Sequence, residues 1–176
     1  SIYVVAIEPL LYSEIVTASR YVKEKGLGLS ITTNGLMLEK FAESLVEMEL
    51  DDLWISLDGT RKLNDYIRGV QGAFDCAMRG IDRIHILKQE LNAEKPKVHI
   101  NFTISDLNCT NLFDFLEETR NGKIDSIQFS HLNFVTEEMA QEHNRQYSYL
   151  CVCKPSSISR VDPRKVDLEG LYRQIG

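Results

Sequence analysis

Polar side chains follow each of five apolar segments in the chain, and together these residues could bind a ligand. Glu8 ends the first segment, Ser56 lies in the third and Thr103 in the fourth. Hydroxyl, amide and carboxylate groups donate and accept hydrogen bonds, which suits them to a polar molecule. A buried polar group without a partner costs about 1–3 kcal/mol, so each of them should have one. The candidate residues are Glu8, Thr33, Asn34, Ser56, Asp58, Asn101, Thr103, Gln128 and His131.

A simpler explanation exists for some of these residues, because strands end in loops and loops are polar. The sequences Asn34–Gly35 and Asp58–Gly59 are common turn signals. Ser56, Thr103 and Gln128 instead lie inside apolar stretches, before any turn. These three positions favour a shared ligand site over scattered polar groups.

Strand and helix patterns alternate along the sequence. Strands are predicted at residues 2–7, 27–32, 53–57, 97–104 and 125–130, and a helical pattern follows each. This alternation predicts parallel βαβ units with neighbouring strands in chain order, so the fold class is α/β. The carboxyl ends of parallel strands lie at one face, where such folds bind ligands. No strand is followed by a glycine-rich dinucleotide or phosphate-binding motif.

Composition sets limits on size, partners and location. A chain of 176 residues predicts one domain with its own core. With 20 basic and 26 acidic residues, the formal charge of −6 argues against nucleic acid or an anionic membrane as the main partner. The sequence shows no bilayer-length apolar run and no signal peptide, so a cytoplasmic location is expected.

The four cysteines do not form a recognisable metal-binding pattern. Cys76 and Cys109 stand alone, whereas Cys151 and Cys153 form a C-x-C pair. Two thiolates do not complete a tetrahedral site, so no metal ligands are assigned.

Four stretches in order resemble the radical S-adenosylmethionine superfamily: "AIEPLLYSEI", "SITTNG", "SLDG…NDYIRG" and "INFTIS". The resemblance covers residues 2–135 and is nearest to members with TTNG and SLDG strands, many of which carry a C-terminal cysteine-rich (SPASM-like) extension. It implies a partial (β/α)₆ TIM-like barrel of parallel strands. Residues 1–135 would form the barrel core, and residues 136–176 a helical C-terminal segment or a linker.

The resemblance also implies roles for individual residues. Glu8 and Pro9 match the end of a Gly-Gly-Glu-Pro motif that receives the amino group of S-adenosylmethionine, but Ala6 and Ile7 replace its glycines. The remaining cofactor-binding positions are Thr33 and Asn34 near the adenosyl part, Ser56 and Asp58 near the ribose and carboxylate, and Arg68. The substrate-contacting positions would be Asn101, Thr103, Gln128 and His131. His131 could equally be a surface or core-capping histidine.

The family's C-x₃-C-x₂-C loop is not found in this sequence. In the family its thiolates hold a 4Fe-4S cluster, which cleaves S-adenosylmethionine to a 5′-deoxyadenosyl radical. The chain begins within the strand expected after that loop, so we expect a fragment lacking the first βα unit, or a degenerate relative. Such a chain alone should assemble no cluster. Strand 2–7 should then be an edge that self-associates or is covered by residues 136–176.

Two other functional classes stay open from the sequence. One is a non-catalytic barrel that binds a nucleoside-like ligand or a protein partner. The other is an unrelated metal-independent barrel enzyme, although the sequence places no lysine at a strand end and no phosphate-binding glycine pair after a late strand. The substrate, whether small molecule or peptide, is not indicated by any motif.

Overall fold

A computed structural model of the chain describes residues 1–133, 135–156 and 162–175. Its five strands form one parallel sheet in the order β1-β2-β3-β4-β5. The predicted α/β class, parallel pairing and strand order are therefore confirmed. Residues 157–161 and 176 of the predicted C-terminal segment lie outside the described residues. The strands are β1 (Ile2–Val4), β2 (Leu29–Thr33), β3 (Asp52–Ser56), β4 (Lys97–Ile104) and β5 (Ser126–His131).

Seven helices connect and flank the described strands. A helix follows each strand, as predicted, and short 3-10 turns occur at Pro9–Leu11 and Pro163–Lys165. The helices are α1 (Ile15–Glu24), α2 (Leu38–Glu47), α3 (Arg61–Arg68), α4 (Ala73–Glu90), α5 (Leu112–Thr119), α6 (Glu137–Tyr147) and α7 (Leu168–Ile175). Among the described residues, no helix combines the length and hydropathy needed to cross a bilayer.

The first strand is shorter than the apolar pattern predicts. β1 ends at Val4, and Ile7 is fully exposed, so the pattern overestimated both the strand and its burial. Pro9 begins a 3-10 turn that Glu8 caps, which ends the extended backbone early. Within the described residues β1 pairs with β2 only, so it is an edge strand of this sheet.

The sheet has one apolar and one polar face, because side chains alternate along each strand. Leu53, Ile55, Ile100 and Phe102 are fully buried on the apolar face, in one core with residues of α2, α4 and α5. The side chains of the opposite face are half-buried or exposed. We call this surface the polar face; it consists of Tyr3, Ser30, Thr32, Asp52, Trp54, Ser56, Lys97, His99, Asn101, Thr103, Ser126, Gln128 and Ser130.

Asp51 ties together the amino ends of the central strands. Its carboxylate accepts hydrogen bonds from Lys23 Nζ at 2.6 Å, from the Leu29 backbone at 2.8 Å and from Lys95. Burial alone would raise the pKa of this carboxyl, but the bonds from the two lysines and the Leu29 amide outweigh it and hold the pKa below its ordinary value. Asp51 therefore remains charged and fixes the end of the sheet opposite to the strand ends that carry the candidate residues.

The C-terminal helix α7 packs against α5, the helix that follows β4, and β4 is three strands away from β1 in the sheet. Leu171 of α7 is buried in the main core. The Gln174 side chain accepts from the Leu112 backbone at 3.0 Å and donates to the Cys109 carbonyl at 2.9 Å. These bonds attach α7 to α5, next to the β4 side of the sheet.

Candidate functional site

The Glu8 carboxylate joins the end of β1 to the end of β2. Its Oε1 atom accepts from the Thr33 hydroxyl at 2.8 Å and from the Leu10 backbone at 3.0 Å. Its Oε2 atom accepts from the Asn34 backbone at 2.7 Å. Only 8% of the residue is exposed. Glu8 therefore fixes the relative positions of two strand ends and caps the turn that begins at Pro9, which is itself buried.

Thr33 and Asn34 shape the turn after β2. The Thr33 hydroxyl, already bonded to Glu8, accepts from the Gly35 backbone at 3.1 Å, and the residue is buried. The Asn34 side chain accepts from the Leu36 backbone at 2.9 Å, as turn asparagines commonly do. Asn34 is half-buried and more accessible to a ligand than Thr33.

Asp58 is paired with Arg68 after β3. The carboxylate accepts from Arg68 at 2.7 Å and from the Thr103 backbone at 2.9 Å, so both of its oxygens have partners. Burial raises the pKa of Asp58 above its ordinary value, and the charge of Arg68 and the Thr103 amide oppose that shift only in part. With 8% of its side chain exposed, Asp58 holds the guanidinium of Arg68 in place.

Two buried asparagines that the sequence did not single out support this pair. The Asn64 side chain accepts from the Asp58 backbone at 2.9 Å. The Asn108 amide donates to the carbonyls of Asp58 and Thr103, both at 2.9 Å. For Asn64 the available signal was an asparagine within a helix, where this residue is unfavourable without a specific partner; Asn108 lies in a turn, where asparagine is common.

Two buried donors beside Asp58 have no hydrogen-bond partner among the described residues. They are Nε of Arg68 and Nδ2 of Asn64. The Arg68 side chain is 30% exposed, so a ligand can reach the guanidinium. A guanidinium forms its strongest hydrogen bonds with a carboxylate or phosphate. The exposed part of the guanidinium therefore fits a ligand that carries an anionic group, whereas Asn64 has no exposed surface.

Most of the predicted substrate-contacting residues lie on the polar face. Ser56 pairs with Asn101, and Asn101 pairs with Gln128, which places all three in one row across β3, β4 and β5. Thr103 lies on the same face, one row nearer the strand ends. His131 pairs with the core residue Ile104 and lies on the opposite side of the sheet. The structure thus brings together Ser56, Asn101, Thr103 and Gln128 and separates His131 from them.

The described residues do not fit an iron–sulfur cluster. They include no group of three or more histidine, cysteine or acidic residues that could hold a metal ion. Cys151 lies near His143, with the thiol sulfur 3.6 Å from Nε2, in the segment that follows α6. No cluster ligand is therefore assigned within the described part of this chain.

Comparison with protein-family models gave no match. Curated relatives were found. The chain is 35% identical over 150 residues to Fe-coproporphyrin III synthase of Methanosarcina barkeri, covering 79% of this chain and 35% of the relative. It is 33% identical over 169 residues to a GTP 3',8-cyclase of Limosilactobacillus fermentum, covering 93% and 48%. The chain therefore spans less than half the length of these relatives.

Solved structures share the fold. Streptococcus suis SuiB bound to S-adenosylmethionine superposes with a TM-score of 0.63 at 20% identity, covering 77% of this chain and 30% of that one. The protein anSMEcpe with bound AdoMet gives a TM-score of 0.55 at 18% identity, covering 77% and 36%. The parallel sheet matches part of their barrels. Sequence and fold together show that this chain belongs to the radical S-adenosylmethionine superfamily.

Proposed function

We propose that this chain is the cofactor-binding core of a radical S-adenosylmethionine enzyme and binds that cofactor at the carboxyl ends of its strands. The observation that carries the proposal is the partly exposed guanidinium of Arg68, held in place by buried Asp58. The methionine part of the cofactor ends in a carboxylate, which is a suitable partner for a guanidinium. In this superfamily the bound cofactor supplies a 5′-deoxyadenosyl radical when an iron–sulfur cluster reduces it.

The residues around Arg68 divide into ligand-contacting and positioning groups. We assign Arg68 and Ser56 to the cofactor carboxylate, and the half-buried Asn34 to its adenosyl side. Glu8 and Asp58 act indirectly, since their carboxylate oxygens already accept hydrogen bonds from the protein. Pro9 and Thr33 are buried and support the same strand ends.

Substrate contacts are proposed for the polar face below the cofactor. Asn101, Thr103 and Gln128 lie there, whereas His131 is left out because it lies on the opposite side of the sheet. The relatives are named for different compounds, Fe-coproporphyrin III in one and GTP in another. The proposal therefore specifies the cofactor and the substrate face, and it leaves the substrate class open.

Calorimetric titration of the chain with S-adenosylmethionine tests the cofactor assignment. Wild-type chain is expected to bind, and Arg68→Lys should weaken binding about tenfold or more, because an ammonium group cannot reproduce the planar fork. Arg120→Lys is the matched control, since Arg120 is exposed on the surface near Glu117. Methylthioadenosine lacks the carboxylate, so its binding should be equal in wild type and Arg68→Lys. No binding of S-adenosylmethionine at millimolar concentration, or equal affinity in both variants, contradicts the proposal.

The β1 edge is proposed to pair with a second copy of this chain. β1 has one strand partner among the described residues, and Tyr3 within it and Val5 directly after it are 58% and 60% exposed. Such an edge is a template for another strand, and a charge on it discourages pairing. Sedimentation should show dimers or larger species at micromolar concentration, and Ile2→Lys should shift them towards monomer. Leu27→Lys, at an exposed apolar residue outside the strand, should leave the distribution unchanged. A monomeric wild type contradicts the proposal.

A further inference from the structure

Three side chains from neighbouring strands form a hydrogen-bonded row across the polar face. His99 of β4 lies 2.7 Å through Nδ1 from the Ser126 hydroxyl of β5, and 3.2 Å through Nε2 from Oδ1 of Asp52 in β3. Ser30 of β2 lies outside this row of three, and its hydroxyl donates to the other Asp52 oxygen at 3.0 Å. None of these residues was among the candidate residues predicted from the sequence.

The chemistry of the row fixes where its protons lie when His99 is neutral. A carboxylate only accepts hydrogen bonds, so Nε2 of His99 must carry the proton and donate it to Asp52. Nδ1 then has no proton and accepts one from the Ser126 hydroxyl. The hydrogen bonds are therefore donated in one direction, from the Ser126 hydroxyl to the imidazole and from the imidazole to the carboxylate.

The imidazole is held rigidly, while the hydroxyl is accessible. The indole of Trp54 stacks on the His99 ring, with centroids 4.5 Å apart and planes at 25°. The His99 side chain is 15% exposed, whereas Ser126 is exposed. Other charged groups at this end of the sheet are paired elsewhere: Lys97 with Asp125 at 3.7 Å, and Lys95 with Asp51. Asp52 is therefore the charged group bonded directly to His99.

The row lies within the proposed substrate face. His99 precedes Asn101 by two residues and Thr103 by four, on the same side of β4. At the rise of a β-strand these separations are about 7 Å and about 13 Å. Asp52 and Ser126 are the first residues of β3 and β5, so the row lies at the amino ends of these strands, on the same face as Asn101 and Thr103 and at the end away from Asp58.

We propose that Ser126, His99 and Asp52 form a proton relay for a substrate hydroxyl or amine group bound on the polar face. The substrate O–H or N–H bond breaks and its proton moves to Ser126 Oγ, while the original Ser126 proton moves to Nδ1 of His99. The resulting imidazolium is paired with Asp52. Only a proton is transferred and no electrons are, so no further reactant is required. This inference rests on the proposed function, which makes the polar face the substrate face.

Nitrogen NMR of the chain with isotope-labelled histidine tests which His99 nitrogen carries the proton, and so the direction of the relay. At pH 8, we expect the His99 resonances to show a protonated Nε2 and an unprotonated Nδ1, assigned by their loss in His99→Gln. Ser126→Ala should keep this tautomer but shift the Nδ1 resonance. Asp52→Asn should give both tautomers, since an amide can donate or accept. A proton on Nδ1 in the wild-type chain overturns the proposal.

A pH titration separates a relay from a purely structural row. A relay requires His99 to accept a proton while the chain stays folded, which a purely structural row does not. Trp54 is the single tryptophan, and an imidazolium in contact with it quenches its fluorescence. We expect reversible quenching on acidification with an unchanged circular dichroism spectrum, absent in His99→Gln and retained in the control His131→Gln. A His99 that stays neutral until the chain unfolds overturns the relay. These measurements need no cofactor, so failure of cofactor binding is recognised separately.

Discussion

Replacing Glu8 with alanine is expected to lower the free energy of unfolding by about 2–4 kcal/mol. Three donors lose their acceptor at once: the Thr33 hydroxyl and the backbones of Leu10 and Asn34. Hydrogen bonds to a charged acceptor are worth about 1.5–3 kcal/mol each, and water can replace only part of them at a residue that is 8% exposed. Urea unfolding should show a lower midpoint with an unchanged slope.

Two further variants show which property of Glu8 matters. Glu8→Gln retains one oxygen for Thr33 and Leu10 but turns an amide group towards the Asn34 backbone, so a loss of about 1–2 kcal/mol is expected. Glu14→Ala, at an exposed residue whose side chain does not cap α1, should change stability by less than about 0.5 kcal/mol. If Glu8→Ala costs no more than Glu14→Ala, the carboxylate does not join the two strands in solution.

The position of Glu8 could be predicted from the sequence, but its partners could not. A strand followed by Glu8 and Pro9 indicates a strand exit. Thr33 and Asn34, however, lie 25 and 26 residues further along the chain. Their meeting with Glu8 depends on the register of β1 against β2, which no local pattern specifies. The same limit explains the over-long β1, because the exposure of Ile7 depends on what surrounds the strand end.

The arrangement of strands was predictable because strand and helix patterns alternate with clear periods. That alternation forces parallel pairing, and the short connections favour neighbours in chain order, as observed. The row of Asp52, His99 and Ser126 was missed because its three residues come from three different strands, and no motif within any one strand marks them. Only the register of three strands brings them together.

Glycine is required in the turn after β2 for two reasons, and only the first can be read from the sequence. Asn34–Gly35 predicts a turn because glycine tolerates a positive φ, and the φ of Gly35 is +82°. The structure adds a second requirement, since α4 approaches this backbone closely. A Cβ atom on residue 35 would lie 2.7 Å from Cβ of Ala77 and 3.3 Å from Cγ2 of Ile55.

Gly35→Ala is therefore expected to lower the free energy of unfolding by about 2–5 kcal/mol, the sum of a left-handed backbone cost of about 1–2 kcal/mol and an overpacking cost of about 1–3 kcal/mol. Gly26→Ala separates the two terms, because Gly26 has a φ of +69° and open space around its Cβ position, so only the backbone cost of about 1–2 kcal/mol should appear. Adding Ala77→Gly to Gly35→Ala removes the 2.7 Å contact, and the double variant should be more stable than the sum of the single changes by about 1 kcal/mol or more. Urea unfolding of the wild type, of Gly35→Ala, of Ala77→Gly and of the double variant measures that coupling. Strict additivity would mean that α4 does not pack against the turn, and the close approach that positions the end of β2 would then be wrong.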